Sequence, residues 1–220
     1  MWALSTLGYS SVVTSATYHH GNLRAALIET GLAMARESGP DGVALREVAR
    51  RVGVSHNAAY RHFADREALL TEISAHAMEQ LTEAMRTRIE AVSTRLDPVS
   101  GARRRLSEVG RAYVEFALAE PGLFRVAFAS KADGAAESPL GPPTGEGPYG
   151  LLNDVLDELV ATGYLDPARR AGSEVACWSA VHGFAELCLD GPLRLLPSSQ
   201  REEVLTRLLD TVDRGLGDPA

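Results

Sequence analysis

The chain has 220 residues, 45% of them apolar and 23% charged, enough for a buried core in one large domain or in a small module joined to a larger one. This composition excludes disordered and fibrous classes, and no run approaches the ~18 apolar residues that a bilayer crossing needs. Two cysteines, Cys177 and Cys188, are too few for a disulfide framework or a thiolate zinc site, so a reducing, cytoplasmic setting is expected, with no membrane and no metal. The formal charge of −7 argues against a nucleic-acid binder until it is divided. Residues 1–66 carry seven Arg against five Asp and Glu, net +2, together with four of the six His, and residues 67–220 carry −9. A mildly basic head thus precedes a large acidic body.

Residues 1–17 have no charge and no basic n-region, and Ser5, Thr6, Ser10 and Ser11 interrupt any apolar stretch, so they read as a disordered leader rather than a signal peptide. Beyond them apolar residues recur at helical spacing and no alternating run competes, which makes the fold all-α. A first helix is expected over 22–38, with Leu23, Leu27, Gly31, Met34 and Ala35 inward, stopping at Gly39-Pro40. Short helices follow over 45–52 and from the N-cap Ser55 to about Phe63, then a long one over 66–95. Asp97-Pro98 breaks that helix, and others are expected over 101–119, 123–129, 149–162, 167–189 and 199–216. Residues 134–150 hold five Gly and four Pro and read as a loop. The G-x-G-x-x-G letters at Gly145 to Gly150 within it follow no strand and include Pro148, so they do not bind a dinucleotide.

Residues 45–63, LREVARRVGVSHNAAYRHF, have the plan of a helix-turn-helix. Ala49 leaves room for the second helix to cross, Gly53 supplies the positive φ of the turn, and Val48, Val52, Val54, Ala59 and Phe63 form the shared core. The second helix keeps Ser55, His56, Asn57, Ala58, Tyr60, Arg61 and His62 outside, a polar, cationic and aromatic face suited to a major groove. Of these, Tyr60 and His62, with Arg66 beyond, suit phosphates, and Ser55, His56, Asn57 and Arg61 suit base edges.

The first helix, this motif and the Tyr60-Arg61-His62-Phe63 to Arg66-Glu67-x-Leu69-Leu70 junction resemble the amino-terminal domain of TetR-family transcriptional regulators over about 18–70. The resemblance implies a three-helix DNA-binding domain at 18–66 and a larger helical ligand-binding and dimerisation domain at 67–220. It also implies phosphate contacts by Tyr60, His62, Arg66 and Arg46. Ala44 stands where the family often has a capping Thr, and Ala35 where it often has an aromatic. Trp178-Ser-Ala-Val-His182-Gly183 resembles a Trp-x3-His-Gly signature of one subgroup, as does the 18–23 opening.

In the acidic body, Ala171, Val175, Trp178, His182, Ala185 and Leu189 form an a/d seam, and Val204, Leu205, Leu208, Leu209, Val212 and Leu216 a second stripe. Together they predict a four-helix homodimer interface. Tyr113, Phe116, Phe124 and Phe128 gather around the Pro121 bend and, with Trp178 and His182, are the candidate pocket lining for an unknown small-molecule effector. No catalytic group and no cofactor is expected. The reading is a ligand-responsive regulator on a palindromic double-stranded DNA operator, and the resemblance implies a repressor, the family's usual outcome. An all-helical enzyme or carrier and an effector-independent architectural DNA binder are the alternatives. With so small a basic charge, binding should rest on a few contacts and on dimerisation, and fall as salt rises.

Overall fold

The computed structural model describes residues 23–129 and 147–217, and every regular element among them is helical. The expected leader at 1–17, the opening at 18–22 and most of the 134–150 loop lie outside the described residues. Helix α1 (Leu23–Ser38) buries its whole predicted face and stops at Gly39, whose φ of 66° favours glycine. A 3-10 turn (Pro40–Gly42) leads to α2 (Leu45–Val52), which ends at Gly53 with φ 81°. Helix α3 (His56–Tyr60) is capped by Ser55, whose hydroxyl accepts from the Ala58 amide at 3.3 Å. It stops three residues before the expected Phe63, which nevertheless stays buried with Val48 and Ala59.

Helix α4 (Arg66–Glu90) is capped by Asp65 and ends five residues earlier than expected. Val92, Ser93 and Thr94 are weak helix formers, and the Ser93 hydroxyl takes the Arg95 amide at 3.3 Å, offering the backbone another partner. Three prolines, read as a break at Pro98, a bend at Pro121 and a loop residue at Pro148, prove to be beginnings: α5 (Pro98–Ala119), α6 (Pro121–Ala129) and α7 (Pro148–Ala161) each start on one. The first turn of a helix has no use for the missing N–H. The helix expected over 167–189 is divided into a 3-10 turn (Pro167–Arg169) and α8 (Ser173–Leu189), separated at Gly172 with φ 83°. A 3-10 turn (Pro192–Leu195) and α9 (Ser198–Gly217) follow.

Helix α5 is the hub of the body, packing against α4, α6, α7, α8 and α9. Helices α1 and α2 pack together as the head's core, and α1 also rests on α4 and α6. The predicted seam needs correction. Trp178 and Ala185 are buried in the chain's own core, and Val175, half exposed at 47%, points away from them with Leu187. The open side of α8 is therefore Val175, Ser179, Gly183 and Leu187, every fourth residue, rather than the a/d set. On α9, Leu205, Leu209 and Leu216 turn into the core and Val204 stays exposed.

Candidate functional site

The reading head concentrates its chemistry on α3 and the start of α2. Ser55, Asn57, Arg61 and His62 are exposed, Tyr60 is 43% exposed and His56 half-buried. The His56 and Tyr60 rings lie 4.5 Å apart, one helical turn apart on the same side. Sequence reasoning thus places these residues on one face, and Arg46 is exposed at the start of α2.

The state of each arginine was not readable from composition. Arg50 and Arg51 both pair with Glu47, Arg51 reaching Glu37 as well. Hydrogen bonding from Arg50, then from Arg51, holds the Glu47 carboxyl down at about 2. Arg24 pairs with Glu72 at 2.6 Å and lies over the Phe63 ring, and Arg36 binds Glu120 and Gln80. Among the described residues of the head, Arg46 and Arg61 have no ion pair or side-chain hydrogen bond. Glu47 stands three and four residues before its partners, a spacing that sequence reading could have used.

Arg66 also has partners inside the chain. Its Nε donates to the Val43 carbonyl at 2.8 Å, one terminal nitrogen to the Pro40 carbonyl at 2.6 Å, and the other pairs with Glu67 at 2.8 Å. Each guanidinium nitrogen has a partner within the chain, so this side chain clamps the α1–α2 connection onto α4, while two of its five N–H groups are left over on a side chain that is 38% exposed.

In the body, the predicted aromatics do come together. Tyr113, 1% exposed, meets Phe124 edge-on at 5.6 Å and Trp178 at 5.1 Å, and Phe128 lies 4.9 Å from Phe124 and 5.1 Å from His182. The Tyr113 hydroxyl and His182 Nδ1 are hydrogen-bonded at 2.7 Å, giving the buried phenol and the half-buried imidazole a partner. Burial, and then the charge of Glu186, push the Tyr113 phenol above its ordinary range. These rings pack on one another as a cluster. A cavity of about 30 Å³ adjoins only Tyr113 and Trp178 of the expected pocket lining, and its other walls include Met85, Gly110, Cys177 and Leu209. Phe116, Phe124, Phe128 and His182 do not line it. The lining signal missed in sequence is a glycine: a Cβ on Gly110 would lie 2.6 Å from Leu209 Cδ2.

Helix α6 touches both regions. Its Phe124 and Phe128 belong to the ring cluster, and its Gly122 meets the end of α1 so closely that a Cβ there would lie 2.0 Å from the Ala35 carbonyl oxygen. Among the described residues no group of three or more His, Cys, Asp and Glu could hold a metal ion, and no helix is long and apolar enough to cross a membrane.

A helix-turn-helix head joined to an all-helical body defines a DNA-binding transcription regulator. The comparisons name the family. Residues 27–73 match "Bacterial regulatory proteins, tetR family", and residues 106–212 match "Tetracyclin repressor-like, C-terminal domain". The chain belongs to the TetR family of transcription regulators, which are not enzymes. A solved protein of unknown function from Rhodococcus sp. RHA1 is 30% identical, with a TM-score of 0.72 over 92% of this chain and 100% of that one. A TetR family transcription regulator from Marinobacter aquaeolei VT8 shares the fold at 18% identity and a TM-score of 0.60, over 89% of this chain and 96% of that one. So does a TetR variant from Acinetobacter baumannii AYE in complex with minocycline, at 19% identity and a TM-score of 0.60, over 88% and 97%. No curated protein matches the chain.

Proposed function

We propose that the chain is a cytoplasmic, ligand-responsive repressor whose head, 18–66, holds DNA and whose body, 67–220, dimerises and receives a small molecule. The observation that carries this reading is the α3 face. A helix capped by Ser55 presents His56, Asn57, Tyr60, Arg61 and His62, with Arg46 exposed at the start of α2, and neither arginine has an ion pair among the described residues. Tyr60, His62, Arg46 and Arg66 are assigned to phosphates, which position the head; Ser55, His56, Asn57 and Arg61 are assigned to base edges. Asn pairs bidentately with adenine and Arg with guanine.

Two heads are needed for a roughly palindromic operator, with half-sites about one helical turn apart or a multiple of it. The open faces of α8 and α9 supply the homodimer contact in this reading. Val175, Gly183 and Leu187 give α8 a small and apolar side, and Val204 continues it on α9. A small molecule bound in the body would favour a dimer geometry whose heads no longer fit the operator spacing, releasing DNA by population shift. The same fold holds minocycline in the Acinetobacter neighbour. In a mobility-shift titration with promoter DNA beside its own gene, the full chain should give a specific band at moderate salt. The absence of such a band would overturn the regulator reading, and a complex that no small molecule ever releases would point to an architectural binder.

A further inference from the structure

We infer that the cavity enclosed by α4, α5, α7, α8 and α9 takes an uncharged, predominantly apolar molecule. The inference names the effector class of the proposed response, and it rests on that response only for its consequence at DNA. The walls carry no charged side chain: Met85, Val109, Gly110, Leu152, Val181 and Leu209 are typical of them. Four side chains offer polar atoms, and each offers little; the Trp178 indole contributes a single neutral N–H donor. The Tyr113 hydroxyl is already bonded to His182 at 2.7 Å, the Cys177 thiol is a weak donor, and the Ser107 hydroxyl sits on a half-buried residue. Backbone groups of the surrounding helices are spent within those helices. A charged ligand would surrender its hydration for no counter-ion, which is the costly case for burial. An anion fares worse still, because Glu186 already opposes negative charge at the Tyr113 oxygen.

The room comes from a missing side chain. At Gly110 a Cβ would meet Leu209 Cδ2 at 2.6 Å and Val181 Cγ1 at 3.2 Å. The cavity, about 30 Å³, has room for little more than one or two waters, so a ring-sized guest enters by moving its walls. Met85 and Leu209 are unbranched at Cβ, and methionine in particular adapts to irregular guests. Ser107 and Val212 are the half-buried members of the wall, where it meets the surface between α5 and α9.

The test is equilibrium dialysis of the full chain at neutral pH against three matched probes: nitrobenzene, 4-nitrobenzoate and 4-nitrophenyltrimethylammonium. Nitrobenzene should bind saturably at about one molecule per chain, with both ions at least ~50-fold weaker. Gly110→Ala, which pushes Leu209 into the space, and Ser107→Leu, which fills it from the rim, should each weaken nitrobenzene at least ~10-fold with an unchanged helical spectrum. If Gly110→Ala fails to fold, Ser107→Leu carries the test. An ion that binds as well as nitrobenzene, uptake unaffected by a folded variant, or no saturable uptake overturns the inference. A mobility shift on the same preparation separates the two readings. A specific band without nitrobenzene uptake sinks the cavity assignment alone, and selective uptake without any band sinks the regulator reading alone.

Discussion

At the residue scale, the function of an arginine depends on whether the chain has already satisfied it. Among the described residues Arg46 and Arg61 have no ion pair or side-chain hydrogen bond, whereas Arg66 is held by the Pro40 and Val43 carbonyls and by Glu67. Arg46→Ala should therefore weaken binding to all DNA sequences alike and flatten the salt dependence by about one unit per half-site. Arg61→Ala should relax sequence preference as well, by about 1–3 kcal/mol at one base pair. Arg66→Ala should in addition lower the melting temperature in the absence of DNA, because two carbonyls lose a charged donor. A salt titration beside a thermal melt distinguishes the three. The α3 face was legible in the sequence because a capped helix of known period fixes which residues point out. The engagement of Arg66 was not, since its partners lie 23 and 26 residues away on backbone atoms that no side-chain pattern announces. Cys177 yields a further expectation. Burial pushes its thiol up to about 11, so it should resist iodoacetamide at pH 8 until the protein is denatured. Its raised folded value means that this stabilisation is whole below about pH 9 and lost as pH climbs through about 11, a decline of up to about 3 kcal/mol in alkaline denaturation.

At the scale of the element, prolines and glycines determined what could be read. Gly39 and Gly53 end their helices as expected, because a positive φ at a helix end has few other solutions. Pro98 and Pro121 read as a break and a bend and are first-turn residues; the acidic caps and breaks look alike until the direction of the following helix is known. Gly122 belongs to a different category, since its need is for contact and not for conformation. A methyl there would press on the Ala35 and Arg36 carbonyl oxygens, at 2.0 and 2.9 Å, and backbone cannot step aside as a side chain can. Gly122→Ala should cost about 1–3 kcal/mol in chemical denaturation, by separating α6 from α1. A wild-type midpoint would show that this junction is looser than the packing implies. The α8 seam was misread for a related reason. A four-and-three repeat identifies a helix with two apolar sides, but only tertiary packing determines which side faces the chain's own core.

At the scale of the molecule, the charge of −7 resolves into a head at +2 and a body at −9, and pairing reduces the head's effective cations further. Each protomer is thus a weak DNA binder, and the account depends on two of them acting together. Gly183 offers a clean way to separate them. Nothing lies within 4 Å of where its Cβ would stand, so Gly183→Arg should leave the chain folded while blocking the α8 face. Sedimentation should then report a dimer for the parent chain and a monomer for the variant, and an unchanged dimer would move the interface elsewhere. The central claim is that two such heads grip successive major grooves. Its most direct test is a footprint of the full chain on the promoter beside its own gene, at two salt concentrations. The account predicts two protected half-sites about one helical turn apart or a multiple of it, both fading together as salt rises. A single protected half-site that persists in high salt, or no protection at moderate salt, would contradict it.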